Sequence, residues 1–230
     1  TSNVRFGVNA GNSIASGGIY NVLVGDEAGT AITTGDNNVA LGYRALDAED
    51  TGSGNIAIGS WALSSLNNDA ASYNIGIGYL TGENITTGTE NTLIGGLAGD
   101  ALTTGHYNVA VGFEALSTED AHGRCTALGF RALKTLNAGT DSYNVAIGFD
   151  AGREVTTGVR NTLIGGLSGD ALTTGSYNVA LGYDSLAVDT LGAKAVGLGY
   201  GALSTQNFTS ATDNYNVAVG FAAGNAVTTG

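Results

Sequence analysis

The stretch NVALGYRAL at residues 38–46 recurs with small changes along the whole chain, for example as NIAIG at 55–59, NVAVG at 108–112 and NVAIG at 144–148. Within each copy a small residue separates two larger apolar residues, which is the two-residue period of a β-strand. Both faces of this strand are apolar. The motif therefore predicts a short strand that is repeated many times and covered on both faces.

The spacing between the glycines that end successive motifs gives the length of the repeat. The successive spacings are 18, 17, 17, 19, 17, 17, 17, 19, 17, 17, 17 and 21 residues, so four coils of 17, 17, 17 and 19 make a super-repeat of 70. This period predicts an all-β fold, a β-solenoid of about 13 coils of 17–21 residues each. The glycines are Gly7, Gly25, Gly42, Gly59, Gly78, Gly95, Gly112, Gly129, Gly148, Gly165, Gly182, Gly199 and Gly220.

The super-repeats define the domain organisation. We interpret residues 1–230 as a single β-solenoid repeat domain. Its super-repeats are residues 21–90, 91–160 and 161–230, preceded by a partial repeat at 1–20. The segments NTLIGGLAGDALTTG from Asn91 and NTLIGGLSGDALTTG from Asn161 differ at one position, so we expect every copy to share one geometry.

Composition excludes several classes of protein. Gly supplies 38 of the 230 residues, and each Gly inside a helix costs about 1 kcal/mol relative to Ala, so long helices are not expected. A hydrophobic fraction of 43% with 12% charged residues is too apolar for a disordered chain. The net charge of −12 argues against nucleic acid as a partner, and no apolar run is long enough for membrane insertion.

The sequence leaves open which side of the strand faces the interior. The small row could fill a thin solenoid, and the larger row, such as Ile56 with Ile58, would then face another protomer. Either orientation leaves a long apolar stripe, which predicts self-association into a homo-oligomer. The small row consists of Ala40, Ala57, Ala110, Ala127, Ala146, Ala180 and Ala218.

Asn opens the motif in 11 of the 13 coils, and Cys125 and Ala195 are the exceptions. Stacked side-chain amides can bond to one another and to turn backbone, so we predict a structural ladder rather than a binding site. The ladder residues are Asn38, Asn55, Asn74, Asn91, Asn108, Asn144, Asn161, Asn178 and Asn216. The closing Gly is expected at positive φ or a crowded bend, and the aromatic that follows it in eight coils is expected to form a packing ladder.

The NVA[IVL]G element, at Asn38, Asn108, Asn144, Asn178 and Asn216, resembles the head repeat of trimeric autotransporter adhesins of the YadA-like type. The longer pattern NVALGYRAL followed by TTG is similar to repeats in bacteriophage tail fibres. The resemblance implies a left-handed parallel β-roll, with three chains packed through apolar faces and used to hold surfaces or matrix proteins. The coil here is longer than that family's usual one, and no neck, coiled-coil stalk or membrane anchor is seen.

No recognisable catalytic, cofactor-binding or metal-binding motif accompanies the repeat. His106 and His122 lie in different coils, Cys125 is the single cysteine, and no nucleophile motif or phosphate-binding loop is present, so we predict no enzyme and no cofactor. GDALTTG at 99–105 does not have the spacing of a calcium-binding repeat, and no metal site is predicted. Paired Thr residues such as Thr33 and Thr34 keep ice binding as a less favoured alternative.

The longest coil of each super-repeat carries an inserted polar return: SSLNNDAASY at 64–73, KTLNAGTDSY at 134–143 and STQNFTSATDNY at 204–215. Insertions in repeat proteins map to one side and vary contacts without disturbing the core, so these returns are the candidate ligand-contact loops. The alternative is a tolerated surface loop. The candidate contact residues are Asn67, Asn68, Asp69, Asn137, Thr140, Asp141, Asn207, Phe208 and Asp213.

These observations favour an adhesive extracellular fibre segment on a cell surface or virion, which attaches by multivalent contact without catalysis. The expected partners are further copies of the chain, with a trimer favoured or a filament, and a host-cell or surface receptor that is protein or glycan. A virion tail fibre and a ligand-free scaffold filament are the alternatives. Because the sequence begins at Thr1 without Met and ends at a repeat boundary, we expect a processed part of a longer exported protein.

Overall fold

The computed structural model describes residues 2–229, and the outer residues of the predicted domain, 1 and 230, lie outside the described residues. The described chain is all β, without a helix, and forms a β-solenoid of about 13 turns, which confirms the predicted fold class. The strands are β1 (Val4–Phe6), β2 (Val22–Val24), β3 (Val39–Leu41), β4 (Ile56–Ile58), β5 (Ile75–Ile77), β6 (Thr92–Ile94), β7 (Val109–Val111), β8 (Thr126–Leu128), β9 (Val145–Ile147), β10 (Thr162–Ile164), β11 (Val179–Leu181), β12 (Gly192–Ala193), β13 (Val196–Leu198), β14 (Thr212–Asp213) and β15 (Val217–Val219).

The chain divides into two compact units, Thr1–Val109 and Ala110–Gly230. In the first unit β1 to β6 pair in chain order, and every pair is parallel. In the second unit β8, β9, β10, β11, β13 and β15 pair in the same way. The register joins equivalent motif positions, as in Ala40 opposite Ala57. Each coil therefore stacks on a copy of itself.

The central residue of strands β2 to β11, β13 and β15 is buried inside the solenoid. Ala40 and Ala57 are fully buried, whereas the flanking Leu41 is 42% exposed. The small row thus fills the interior and the larger row lies on the outer surface, which decides between the two orientations that the sequence leaves open. Placing the small side chain inside lets opposite walls of a short coil approach each other.

The interior is completed by a second position, six residues after the strand centre. Where the strand centre is Ala40, this position is the buried Leu46; where it is Leu23, the position is Gly29. A Cβ on Gly29 would lie 2.8 Å from Leu23 Cδ2, so the two positions share one volume. Large and small residues therefore exchange places between coils while the filled volume stays similar.

The ladder amides connect neighbouring coils. Asn38 Oδ1 accepts a hydrogen bond from the backbone N–H of Asn55 at 2.9 Å, and Asn38 Nδ2 donates to the carbonyl of Gly52 at 2.9 Å. Both Asn side chains are fully buried. The Asn38 amide thereby satisfies one backbone donor and one backbone acceptor of the next coil, which a buried apolar side chain could not do. Asn55 and Asn216 differ, since their Nδ2 groups donate to Asn38 Oδ1 and Gln206 Oε1.

The aromatic residues after the motif glycine stack along the second unit. Ring centroids are 5.3 Å apart for Phe130 and Phe149 and 5.2 Å apart for Tyr200 and Phe221, with interplanar angles of 7° and 10°. Phe149 remains 54% exposed. The row packs against itself and leaves an apolar edge on the surface.

The motif glycine is required by both conformation and space. Gly148 has φ of +141°, and a Cβ there would lie 2.5 Å from the carbonyl oxygen of Gly165 in the next coil. Other residues rarely adopt this φ. The close approach of successive backbones explains why this position is glycine throughout the repeat.

We expect Gly148→Ala to lower the free energy of unfolding by about 3 kcal/mol, because it combines backbone strain with a clash against fixed backbone. The matched control is Gly139→Ala, since Gly139 has φ of +66° but no atom within 4 Å of an added Cβ. The control should lose only about 1–2 kcal/mol from the left-handed conformation. Urea unfolding followed by circular dichroism measures both, and equal losses would refute the steric explanation.

Candidate functional site: the inserted returns

The structure places most of the predicted contact residues at the surface. Phe208 differs, because only 7% of it is exposed, which leaves little of its side chain for contact with a ligand. The candidate residues that are exposed or half-buried are Asn67, Asn68, Asp69, Asn137, Thr140, Asp141, Asn207 and Asp213.

A buried carboxylate anchors the start of each return. Glu49, Glu119 and Asp189 are spaced 70 residues apart, and each is fully buried. They occupy the position, seven residues after the motif glycine, that holds Ile85 or Leu102 in other coils. A charged side chain at a core position requires polar partners in the interior.

Each of these acids accepts hydrogen bonds from one backbone amide of its own coil and from one backbone amide of the inserted return. Glu49 Oε2 accepts from the N–H of Asn68 at 3.3 Å, and Glu49 Oε1 accepts from the N–H of Gly52 at 2.7 Å. The N–H of Ala138 donates in the same way to Glu119 Oε2 at 3.2 Å. Each carboxylate therefore holds the first residues of a return onto the coil before it.

The third acid has a further partner. Asp189 Oδ1 accepts from the N–H of Phe208 at 3.2 Å, and Asp189 Oδ2 accepts from Gln206 Nε2 at 2.7 Å. Gln206 is itself fully buried. Sequence reasoning missed all three acids, although an acid recurring every 70 residues at an otherwise apolar position is a readable signal.

Burial raises the pKa of Glu49, and the N–H donors of Gly52 and Asn68 offset part of this effect. A carboxyl whose pKa is higher in the folded than in the unfolded chain costs stability while it is ionised in both states. That cost is present above the folded pKa and is lost as the pH falls through it. The anchor is thus held at a cost in stability at neutral pH.

The end of the return is held by a cation from the preceding coil. Lys194 Nζ lies 2.6 Å from Asp213 Oδ2 and 5.2 Å from the ring centroid of Tyr215, and it donates to Tyr215 Oη at 3.2 Å. The hydrogen bond to Asp213 is the main cause that raises the pKa of Lys194. Strand β14, which contains Asp213, also pairs with β12 in parallel.

The second super-repeat repeats this arrangement. Arg124 forms an ion pair with Asp141, and its guanidinium carbon lies 5.8 Å from the ring centroid of Tyr143. In the first super-repeat the equivalent position is Gly54, where an added Cβ would lie 2.8 Å from the Tyr73 ring. Two of the three returns therefore end in a cation, carboxylate and tyrosine group.

These residues belong to a longer column on the second unit. The residue before the ladder position alternates between a cation and a tyrosine in six successive coils: Arg124, Tyr143, Arg160, Tyr177, Lys194 and Tyr215. The guanidinium carbon of Arg160 lies 5.7 Å from the Tyr143 ring centroid and 5.5 Å from that of Tyr177. We call this row the tyrosine–cation column. The column can be recognised in the sequence only after the coils are aligned with one another.

A groove of about 470 Å³ opens beside the column. Its lining includes Tyr177, the ion-paired residues Lys194 and Asp213, and the hydroxyl-bearing residues Thr174 and Thr212. Nearly half of Tyr177, 49%, is exposed. The groove thus combines an aromatic ring, a charged donor, a charged acceptor and hydroxyl groups.

Cys125 and Glu119, which could take part in catalysis or metal binding, already have hydrogen-bond partners within the fold. The Cys125 thiol lies 2.6 Å from Ser142 Oγ, and burial raises the pKa of this thiol to about 11, which keeps it protonated at neutral pH. Ligand atoms of Glu119, Asp120 and His122 lie within 4.8 Å of one another. Both oxygens of Glu119 already accept backbone N–H groups, from His122 and Ala138.

The paired threonines take part in coil stacking. The hydroxyl of Thr33 donates to the carbonyl of Asp50 at 3.1 Å, and that of Thr156 donates to the carbonyl of Thr173 at 3.2 Å. The second residue of a pair, such as Thr34, is exposed. One hydroxyl of each of these pairs is therefore engaged with the next coil.

Comparisons with protein-family models, with curated proteins and with solved structures find no match to this chain. Over the residues that the structure describes, no helix has the length and apolar character needed to cross a membrane.

We expect Glu49→Ala to speed amide hydrogen exchange at Gly52 and Asn68 by at least about tenfold, because both N–H groups lose their acceptor. The free energy of unfolding should fall by about 2 kcal/mol. Exchange measured by mass spectrometry on peptides that cover Gly52 and the return 64–73 reports the first effect.

Asp50→Ala is the matched control for this substitution. Asp50 is the neighbouring acid, and its Oδ1 accepts from the N–H of Thr51 instead. Its removal should leave exchange in the return unchanged. Equal acceleration by both substitutions would show that the return is not held by the buried carboxylate.

Proposed function

We propose that this chain is an attachment segment of an extracellular fibre, at a cell surface or on a virion, and that it acts by contact rather than catalysis. The supporting observation is that each super-repeat presents an exposed return on a buried carboxylate at the same coil position. A return held in this way keeps its contact groups pre-organised, which lowers the entropy lost on binding.

Repetition is the second support for attachment. Returns that recur every 70 residues present similar chemistry several times along one chain. Linked weak contacts raise the overall affinity far above that of one contact, because later contacts form at high effective concentration. A fibre that must resist detachment benefits from this arrangement more than an enzyme would.

Self-association is part of the proposal. The outer strand row and the aromatic row leave an apolar surface in each unit, and surfaces of this kind are usually covered. We propose a homo-oligomer, with three chains favoured by the resemblance to YadA-like heads. The exposed members include Val22, Leu41, Tyr43, Tyr79, Val109, Phe113, Leu128, Phe130, Phe149, Leu181, Tyr183, Tyr200 and Phe221.

The attachment proposal is tested with protein-coated beads held under flow on epithelial monolayers and on bacterial lawns. Alanine at Asn67, Asn137 and Asn207 changes one exposed residue in each return. We expect retention on at least one surface to fall by about tenfold or more, since the lost contacts multiply.

The control for this test replaces the exposed Thr34, Thr87 and Thr157 with serine and should keep full retention. Wild-type beads that are retained no better than bare beads on either surface would refute attachment. Equal retention of the alanine variant and the control would refute the role of the returns.

Sedimentation equilibrium tests the oligomer. We expect a mass three times the chain mass of 22.9 kDa, and we expect Leu128→Asp with Leu181→Asp to shift it to a single chain, because both residues lie exposed in the outer row. A single-chain mass for the unmodified protein would contradict the proposal, and an open-ended polymer would favour a scaffold filament.

A further inference from the structure

We propose that the groove beside Tyr177 binds a neutral saccharide chain. This inference rests on the proposed attachment function and names the chemical class of its ligand. It depends on the juxtaposition of one exposed aromatic ring, one cation–carboxylate pair and several hydroxyl groups around a volume of about 470 Å³. Saccharides present apolar C–H faces and rings of hydroxyl groups, and the groove offers a partner for each.

The ring of Tyr177 supplies the apolar part of the site. It is 49% exposed, and Arg160 Nη1 donates to its Oη at 2.9 Å. The guanidinium carbon of Arg160, 5.5 Å from the ring centroid, further fixes the ring. A fixed and half-exposed tyrosine gives contact area at little entropic cost, which suits a ligand held mainly by weak stacking.

The ion pair supplies the polar part of the site. The Asp213 carboxylate is an acceptor with several lone pairs, and the Lys194 ammonium has three donors. Pairing with each other leaves part of this capacity for hydroxyl groups of a ligand. Thr174, Ser176 and Thr212 also line the groove. The hydroxyl groups of Ser176 and Thr212 already donate to the carbonyls of Thr174 and Ser210, so towards a ligand these two hydroxyls act as acceptors.

Charge favours a neutral ligand over an anionic one. The cation that lines the groove, Lys194, lies 2.6 Å from Asp213, so the pair has no net charge. The chain as a whole carries −12 and repels polyanions. Uronic acid or sulfated polymers would need an unpaired cation in the lining, and Arg160, which bonds to Tyr177 Oη, lies outside it.

The same groups recur at a suitable distance for a polymer. Arg124, Asp141 and Tyr143 repeat the group of Lys194, Asp213 and Tyr215 four coils earlier, which is about 19 Å at the usual strand spacing. Tyrosines of the column recur every second coil, or about 9.6 Å, which is comparable to the length of two linked pyranose rings. A linear saccharide laid along the second unit would therefore meet a second group of cation, carboxylate and tyrosine.

Saturation-transfer NMR with the full chain tests this inference. The probes are chitohexaose, cellohexaose, maltohexaose and mannohexaose at millimolar concentration, with a hyaluronate hexasaccharide as the anionic comparison. We expect transfer to at least one neutral probe and none to hyaluronate. Tyr177→Ala and, separately, Asp213→Asn should weaken binding of that probe by about tenfold.

The matched control is Tyr73→Ala, because Tyr73 occupies the same column position and is 60% exposed, but its preceding coil carries Gly54 instead of a cation. This variant should bind as the wild type does. Circular dichroism checks that each variant is folded. Absence of transfer to every neutral probe, stronger transfer to hyaluronate, or equal effects of the Tyr177 and Tyr73 substitutions would overturn the inference.

The bead assay separates failure of this inference from failure of the attachment function. If coated beads are retained but the Tyr177 variant is retained equally and no neutral probe competes, attachment stands and the saccharide inference falls. If beads are not retained while a neutral probe binds the groove, the saccharide site stands and attachment falls.

Discussion

Coil-on-coil hydrogen bonding in strict register is the constraint on which the rest of this structure depends. The backbone N–H of Val39 donates to the carbonyl of Asn55 at 2.8 Å, and the Asn38 amide adds a bond to the same coil. These contacts exist only when equivalent positions lie over one another. Register therefore forces a glycine at the close backbone approach and an amide or a substitute at the ladder, as Cys125 beside Ser142 illustrates.

The fold could be predicted because the motif that builds it is periodic in the sequence. Most contacts that build the candidate site leave no such periodic pattern. The spacing of motif glycines predicts the coils, but the orientation of the strand was open because both of its faces are apolar. Burial of Ala40 with Leu46 decides it, and that pairing spans six residues with no simple local pattern. Glu49 and Asp189 resemble surface acids in the sequence, since each is followed by a polar residue and the return amides that donate to them lie 19 residues away.

The tyrosine–cation column shows the same limit of sequence reasoning. Arg160 and Tyr177 are 17 residues apart, and nothing in either local stretch indicates that they touch. Their contact follows only from stacking coils of that length. The inserted returns were found because an insertion interrupts the period, but the residues that hold them lie in the coils before, where the period is undisturbed.

The buried acids connect stability with the proposed attachment function. An apolar residue at the position of Glu119 would fill the interior, as Leu136 does in the next coil, but it could not accept the N–H of Ala138. An inserted return brings extra backbone donors to the edge of the core, and these need acceptors. Because taking a carboxylate out of water is costly, its presence under all three returns is better explained by the need to fix those loops than by packing.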